Sequence, residues 1–263
     1  EGDSTLNRSG IDWFAGVVAV PGPTTVTLAQ PFRIDVPDDW TVEFFTHGMI
    51  EEVGIEDLRI DTDWPGEYRH HKPHGEPDDP DYRSSQEQDY FWPGLKIEWV
   101  WNGWMRDVVI ANTNVGISCN NTTGFSLLGL VSEGHAGHTF VVLAGHDCLM
   151  VDPVLNAPVV HTFYFGDRGS GNVVTGALLD FEPDLEASSG KKLDFHGLFP
   201  FENLCERVRD AYVNSGGPPG MMPHAGIHNV FWDVRVPATT PWGMDARGEF
   251  FHGWRTRTRA HEY

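Results

Sequence analysis

Apolar residues along this chain fall in short runs cut by turn residues. Val17-Val18-Ala19-Val20 ends at Pro21-Gly22-Pro23. Thr25-Val26-Thr27-Leu28 follows, then a break at Pro31, then Phe32-Arg33-Ile34-Asp35-Val36. Val53 to Ile60 alternates in part, which predicts a strand with one buried face. Residues 63–94 break the pattern. Pro65, Pro73, Pro77, Pro80 and Pro93 exclude a regular helix or a central strand there. The stretch reads as one long surface loop, and structureless loops of that length are usually functional.

Beyond the loop the pattern repeats. Aligning the segments that begin at Met105, Phe125, Leu149 and Val173 gives steps of 20, 24 and 24 residues. A period in the low twenties marks a solenoid. The leucine-rich pattern of that period is missing, and the Gly-punctuated, strand-like coils suit a β-helix. A second register places a His before an apolar strand at His138, His161, His196 and His228, with steps of 23, 35 and 32. The longer steps predict loop insertions at Phe181–Lys192 and Ser215–Met222. The expected architecture is all-β: a right-handed parallel β-helix, a single-stranded solenoid with long loop insertions. Residues 1–50 form N-terminal β coils or a cap. Residues 51–236 form the helix with its 63–94 insertion, and 237–263 a tail or the start of further coils.

Composition narrows the function classes. The chain has 263 residues, 40% of them apolar, with 29 Gly and 18 Pro, a mix suited to many short strands joined by turns. Its formal charge is −20. Such a field repels nucleic acid and anionic headgroups, and it repels a polyanionic substrate unless a cation such as Ca2+ bridges the two. Residues 1–100 hold 21 acids against 7 bases, so the acidity sits mainly in the N-terminal part. No apolar run approaches the ~20 residues of a membrane span. The start, Glu1-Gly2-Asp3-Ser4, lacks a signal-peptide pattern, as in a mature or trimmed chain. Cys119, Cys148 and Cys205 match no zinc spacing and read as buried thiols, with a Cys119–Cys148 bridge as the alternative. Sequons at Asn7 and in Asn120-Asn121-Thr122-Thr123 are compatible with a secreted glycoprotein.

Several segments together carry a family likeness: Val53-Gly54-Ile55-Glu56-Asp57-Leu58, Gly103-Trp104-Met105-Arg106-Asp107-Val108, Gly134-His135-Ala136-Gly137-His138, Leu193-Asp194-Phe195-His196, Phe201-Glu202-Asn203-Leu204 and His228-Asn229-Val230-Phe231-Trp232. Over about residues 50–236 the chain resembles the pectate-lyase-like right-handed β-helix proteins, in particular their secreted members. The resemblance implies the fold and a carbohydrate-active role. That superfamily holds polysaccharide lyases, glycoside hydrolases, phage tailspikes and non-catalytic surface proteins. Lyase-type Asp clusters for calcium are not evident at a fixed strand position.

The histidine series is the main candidate for chemistry. In one register, its members stack on rungs ~4.8 Å apart. Such imidazoles can act as bases, hold a metal or line a sugar groove. They can equally be stacked only because successive coils are alike. For elimination, His161 or His196 is the candidate base, with Arg168 or a bound cation neutralising a uronate carboxylate. For hydrolysis, Asp194 is the best carboxyl group, with Asp167 or Glu202 as partner. His135, His138, His228, Glu202 and Trp101 are candidate substrate contacts. The Trp92, Trp99, Trp101 and Trp104 group offers a sugar platform or a core cap. His70, His71 and His74 beside Glu76, Asp78, Asp79 and Asp81 are a separate candidate for a divalent metal, or a solvated loop. The expected function is a secreted polysaccharide lyase or glycoside hydrolase acting on an extracellular polysaccharide. The alternative is a non-catalytic structural or adhesive rod that self-associates through its coil ends.

Overall fold

The computed structural model describes residues 12–64, 68, 70, 72–73, 75–80, 82, 84, 93–135, 137–182, 190–217, 221–235 and 261–262. The Asn7 sequon, His71, His74, Asp81, Trp92 and most of the 237–263 tail lie outside them. Among the described residues there is no α-helix, and parallel strands stack as a β-solenoid of about five turns.

Each coil presents three strand faces. The first aligns Ile55, Met105, Leu127, Met150, Val174, Cys205 and Phe231. The second aligns Ile60, Ile110, Ser132, Leu155 and Leu179. The third aligns Leu95, Ile117, Val141, Phe163, Leu193 and Val213. Nearly all of these are apolar and packed into one continuous core. Strand side chains alternate between faces, so each rung gives its apolar set to the inside and leaves the other set outside. Phe165 and Phe195 stack within the core with centroids 4.6 Å apart.

The repeat has the expected period but a corrected register. Leu149 does pair with Val173. Met105 pairs with Leu127 and Leu149 with Ser126, so Phe125 is not the marker. Phe125 is buried just ahead of its strand, and its apolar character mimics the strand position. Along the first-face core row the steps are 22, 23, 24, 31 and 26 residues. Pro93, assigned above to the loop, instead opens the strand Pro93–Glu98. A first strand position tolerates proline because its missing N–H breaks no interior ladder bond.

Corners between faces require left-handed backbone, and several acids stand there. Asp57, Asp107, Gly129, Asp152, Gly176, Arg207 and Asp233 stand at one corner of successive coils, all with φ between 48° and 72°. Glu52, Asn102, Gly124, Asp147, Gly171, Glu202 and His228 stand at another, with φ between 52° and 68°. Short polar side chains and glycine tolerate this conformation best. Acids therefore do recur at a fixed position on four of these seven coils, but that position is a turn.

A buried asparagine ladder supports the start of the first face. Asn172 Oδ1 accepts from Cys148 N, Asn203 Oδ1 from Asn172 N, and Asn229 Oδ1 from Asn203 N, each at 3.0–3.1 Å. Their Nδ2 groups donate to the carbonyls of Gly145, Gly169 and Pro200. Each of these three rungs thus supplies backbone bonds that the chain loses where it turns.

The N-terminal segment lies on this scaffold. Val17–Gly22 and Thr25–Leu28 form an antiparallel hairpin outside the solenoid sheets. Arg33 pairs with Asp147 and reaches Ser170 Oγ at 3.2 Å. His47 stacks on Trp99 at 4.1 Å. All three cysteines are free buried thiols, so the Cys119–Cys148 bridge does not form. No described helix is long and apolar enough to cross a membrane.

Candidate functional site

The outer side of the third face carries the candidate site. Tyr164 pairs with Asp194 and Asp194 with Asn214, in a row that alternates with the core row of Phe163, Leu193 and Val213. A strand directs residues two apart to the same side. Asp194 and His196 therefore share that side of Lys192–Phe195 and the residue following it. His161 comes from Val159–Phe165 and His138 from Gly137–His146. His138 and Thr139 both donate their backbone N–H to the Asn114 carbonyl, a local irregularity in the ladder.

The long excursion supplies the remaining members. Ile55 and Met105 are paired although 50 residues apart in sequence, so residues 62–92 are an insertion within one coil. Tyr68 is buried with its ring 5.7 Å from that of His138. His70 lies with its centroid 5.5 Å from both His138 and His161. The loop and the histidine series, separate candidates in the sequence, meet in one cluster.

Asp194 is the electrostatic centre. It is fully buried and accepts hydrogen bonds from His161 Nδ1 and, at 2.6 Å, from Asn214 Nδ2. His196 Nδ1 lies 3.4 Å from the Asp194 Oδ2 atom without a well-formed hydrogen bond. Burial alone raises a carboxyl pKa, but His161, through its charge and hydrogen bond, and then the nearby His196 outweigh it and hold Asp194 well below the usual carboxylate range. Burial lowers the His161 pKa, and the charge and hydrogen bond of Asp194 oppose that shift. Burial also raises the Tyr164 phenol and lowers the Lys192 ammonium, Asp194 opposing the second shift.

Access is uneven. His138 and His161 are each 3% exposed, whereas the His196 side chain is 20% exposed. The His196 ring lies 4.6 Å from His161 and 5.2 Å from Tyr164, between centroids.

The candidate residues divide into groups. His138, His161, Asp194 and His196 come together. They do so without the common register expected: Thr139, not His138, pairs with His161, and the pairing of Phe163 with Leu193 sets Lys191 opposite His161. His228 lies elsewhere. It occupies a left-handed corner, with Nδ1 3.6 Å from Glu202, beside a groove of about 490 Å³ lined by Phe32, Arg33, Trp40 and Phe199 among others. The two share this place because Val230 pairs with Leu204, which sets them on successive rungs. Arg168 is largely buried in the turn after Val159–Phe165, and its electrostatic partners are Asp167 and Asp12. His135 is exposed at a turn, its N–H bonded to Asn112 Oδ1. Trp101 is half-buried beside Gly16. Trp99, with its left-handed backbone, stacks on His47 of the N-terminal segment, and Trp104 Nε1 donates to Glu56 at 2.6 Å.

Sequence reasoning missed Tyr164, Lys192 and Asn214 as neighbours of Asp194. Only the true rung pairing locates them, and the histidine alignment hid it.

Comparison with family models, with curated proteins and with solved structures returns no match.

Proposed function

We propose that the protein is a secreted carbohydrate-active enzyme that cleaves an extracellular polysaccharide on the outer side of the third face. The single observation that carries this reading is the buried Asp194 carboxylate, hydrogen-bonded by His161 and flanked by the partly exposed His196 and by Tyr164. The likeness to pectate-lyase-like β-helix proteins points to the same substrate class.

Within that class the arrangement suits elimination better than hydrolysis. A hydrolase needs a carboxyl group free to protonate a leaving group or attack a sugar. Asp194 is fully buried and already accepts from two side chains, so it orients imidazoles. His196 is placed to remove the proton next to a uronate carboxyl group. Tyr164 beside it can return a proton to the leaving oxygen. Breaking the C–O bond then leaves a C=C bond in one product, with no water consumed.

The test is a panel of acidic and neutral polysaccharides, with and without divalent cations. The expected result is cleavage of a uronate-containing polymer with rising ultraviolet absorbance from the unsaturated product. Reducing ends without that absorbance mean hydrolysis and refute elimination. No cleavage of any glycan refutes the enzyme reading and favours the structural rod.

A further inference from the structure

The imidazoles of this cluster have a property that glycan cleavage does not require. One nitrogen on each of His70, His138 and His161 lies within 4.8 Å of the other two. The Nδ1 atoms of two of them have partners of their own. His138 Nδ1 bonds Thr139 Oγ1 at 2.8 Å, and His161 Nδ1 bonds Asp194. A ligand atom from either of these rings is its Nε2, which those two contacts do not use. A carboxylate that binds the far nitrogen of an imidazole fixes its tautomer and orientation, as the outer partners of metal-binding histidines do.

We propose that His70, His138 and His161 form a three-imidazole site for a divalent transition ion of the zinc type, oriented by Asp194 behind His161. Nitrogen donors suit zinc, cobalt or nickel, whereas calcium takes oxygen ligands. Calcium therefore does not suit this donor set. Three histidines closing to about 2.0–2.1 Å from an ion leave a fourth tetrahedral position for water or substrate. A second trio, His161, Asp194 and His196, meets the same distance limit. Its His161 Nδ1 and Asp194 carboxylate are already spent on each other, so the ion belongs with the first. The insertion gains a purpose from this: it brings His70 to two residues on neighbouring rungs.

The inference concerns the same site as the proposed function but is tested without substrate, so the two can fail separately. The full chain is stripped with a chelator, dialysed against one equivalent of Zn2+ and assayed by elemental analysis. A Co2+-loaded sample is read by its visible absorption. One ion per chain and an intense tetrahedral cobalt spectrum are expected. His70→Ala and His138→Ala should each weaken zinc binding by at least 100-fold, with an unchanged circular dichroism spectrum. Asp194→Asn should weaken it 10–100-fold, the usual effect of losing such an outer partner. His228→Ala should change nothing. Substoichiometric zinc in the native chain overturns the proposal. So does undiminished binding in His70→Ala and His138→Ala, or binding lost in His196→Ala and kept in His70→Ala.

Discussion

Two polar rows run along this solenoid, and they are built on opposite logic. The asparagine ladder places one residue type at one position of successive coils, and its amides satisfy backbone groups. Coil repetition explains it completely. The histidine cluster collects its members from positions that are not equivalent, including an insertion, and points them at one another. Repetition does not explain that. A row that only holds the fold should look like the first, and side chains gathered for chemistry should look like the second.

Perturbing the ladder should give the largest loss of stability. Asn203→Ala leaves the Asn172 N–H buried without its acceptor and removes the donor to Gly169. A buried donor stranded in this way, with the bonds lost beside it, costs about 2–4 kcal/mol. Chemical denaturation reads this directly. A loss under about 1 kcal/mol would mean that the ladder is incidental.

The second effect is on pH dependence. His146 is buried at the corner with Ser170, and burial, then the charge of Arg33, lowers its pKa to about 4 from 6.5. Between those values the unfolded chain takes up a proton that the folded chain refuses. Stability from this group is complete above about pH 6.5 and is lost as pH falls towards 4, by about 3 kcal/mol in all. His146→Gln should flatten that part of the curve of unfolding free energy against pH. An unchanged slope would show that the neutral ring is not what the corner requires.

A smaller change is expected where a corner glycine acquires a side chain. Gly176 has φ of 72°, and a Cβ there would meet Asp152 Oδ1 at 1.9 Å. Gly176→Ala should cost about 1–2 kcal/mol, visible as a lower melting temperature. An equal or higher melting temperature would mean that the corner relaxes freely.

The smallest stability effect belongs to the cluster. His196→Ala should shift stability by less than about 1 kcal/mol, because the ring is partly exposed and Asp194 keeps its bonds to His161 and Asn214. His161→Ala is the poorer probe. It strands the buried Asp194 charge and would unfold the chain for reasons unrelated to chemistry.

The legible and hidden parts of this molecule differ for physical reasons. The period was readable because each coil must bury an apolar row, and that row leaves its mark at Met105, Met150 and Val174, beside the markers Leu149 and Val173. The register slipped at Phe125 because a corner side chain can also be apolar and buried. The ladder was visible in principle: Asn172-Val173, Asn203-Leu204 and Asn229-Val230 each place Asn before a strand, a closer match than the four histidines. Those histidines drew attention by type, and His138, His161 and His196 do meet. They meet through side-chain reach across rungs, which residue spacing does not encode. His70 was a metal-ligand candidate by type, but its place beside His138 and His161 was hidden, since no periodicity tells where a long insertion returns to the sheet.

The most direct measurement sets His196→Ala beside Asn203→Ala, each taken through a denaturation curve and the same glycan-cleavage assay. The account predicts that His196→Ala keeps its midpoint and loses about 100-fold or more of the rate, the usual worth of a proton-transfer group. Asn203→Ala should lose stability while its folded fraction keeps the rate. A His196→Ala protein that cleaves at the wild-type rate, or whose only defect is a lowered midpoint, would contradict the assignment of function to this cluster.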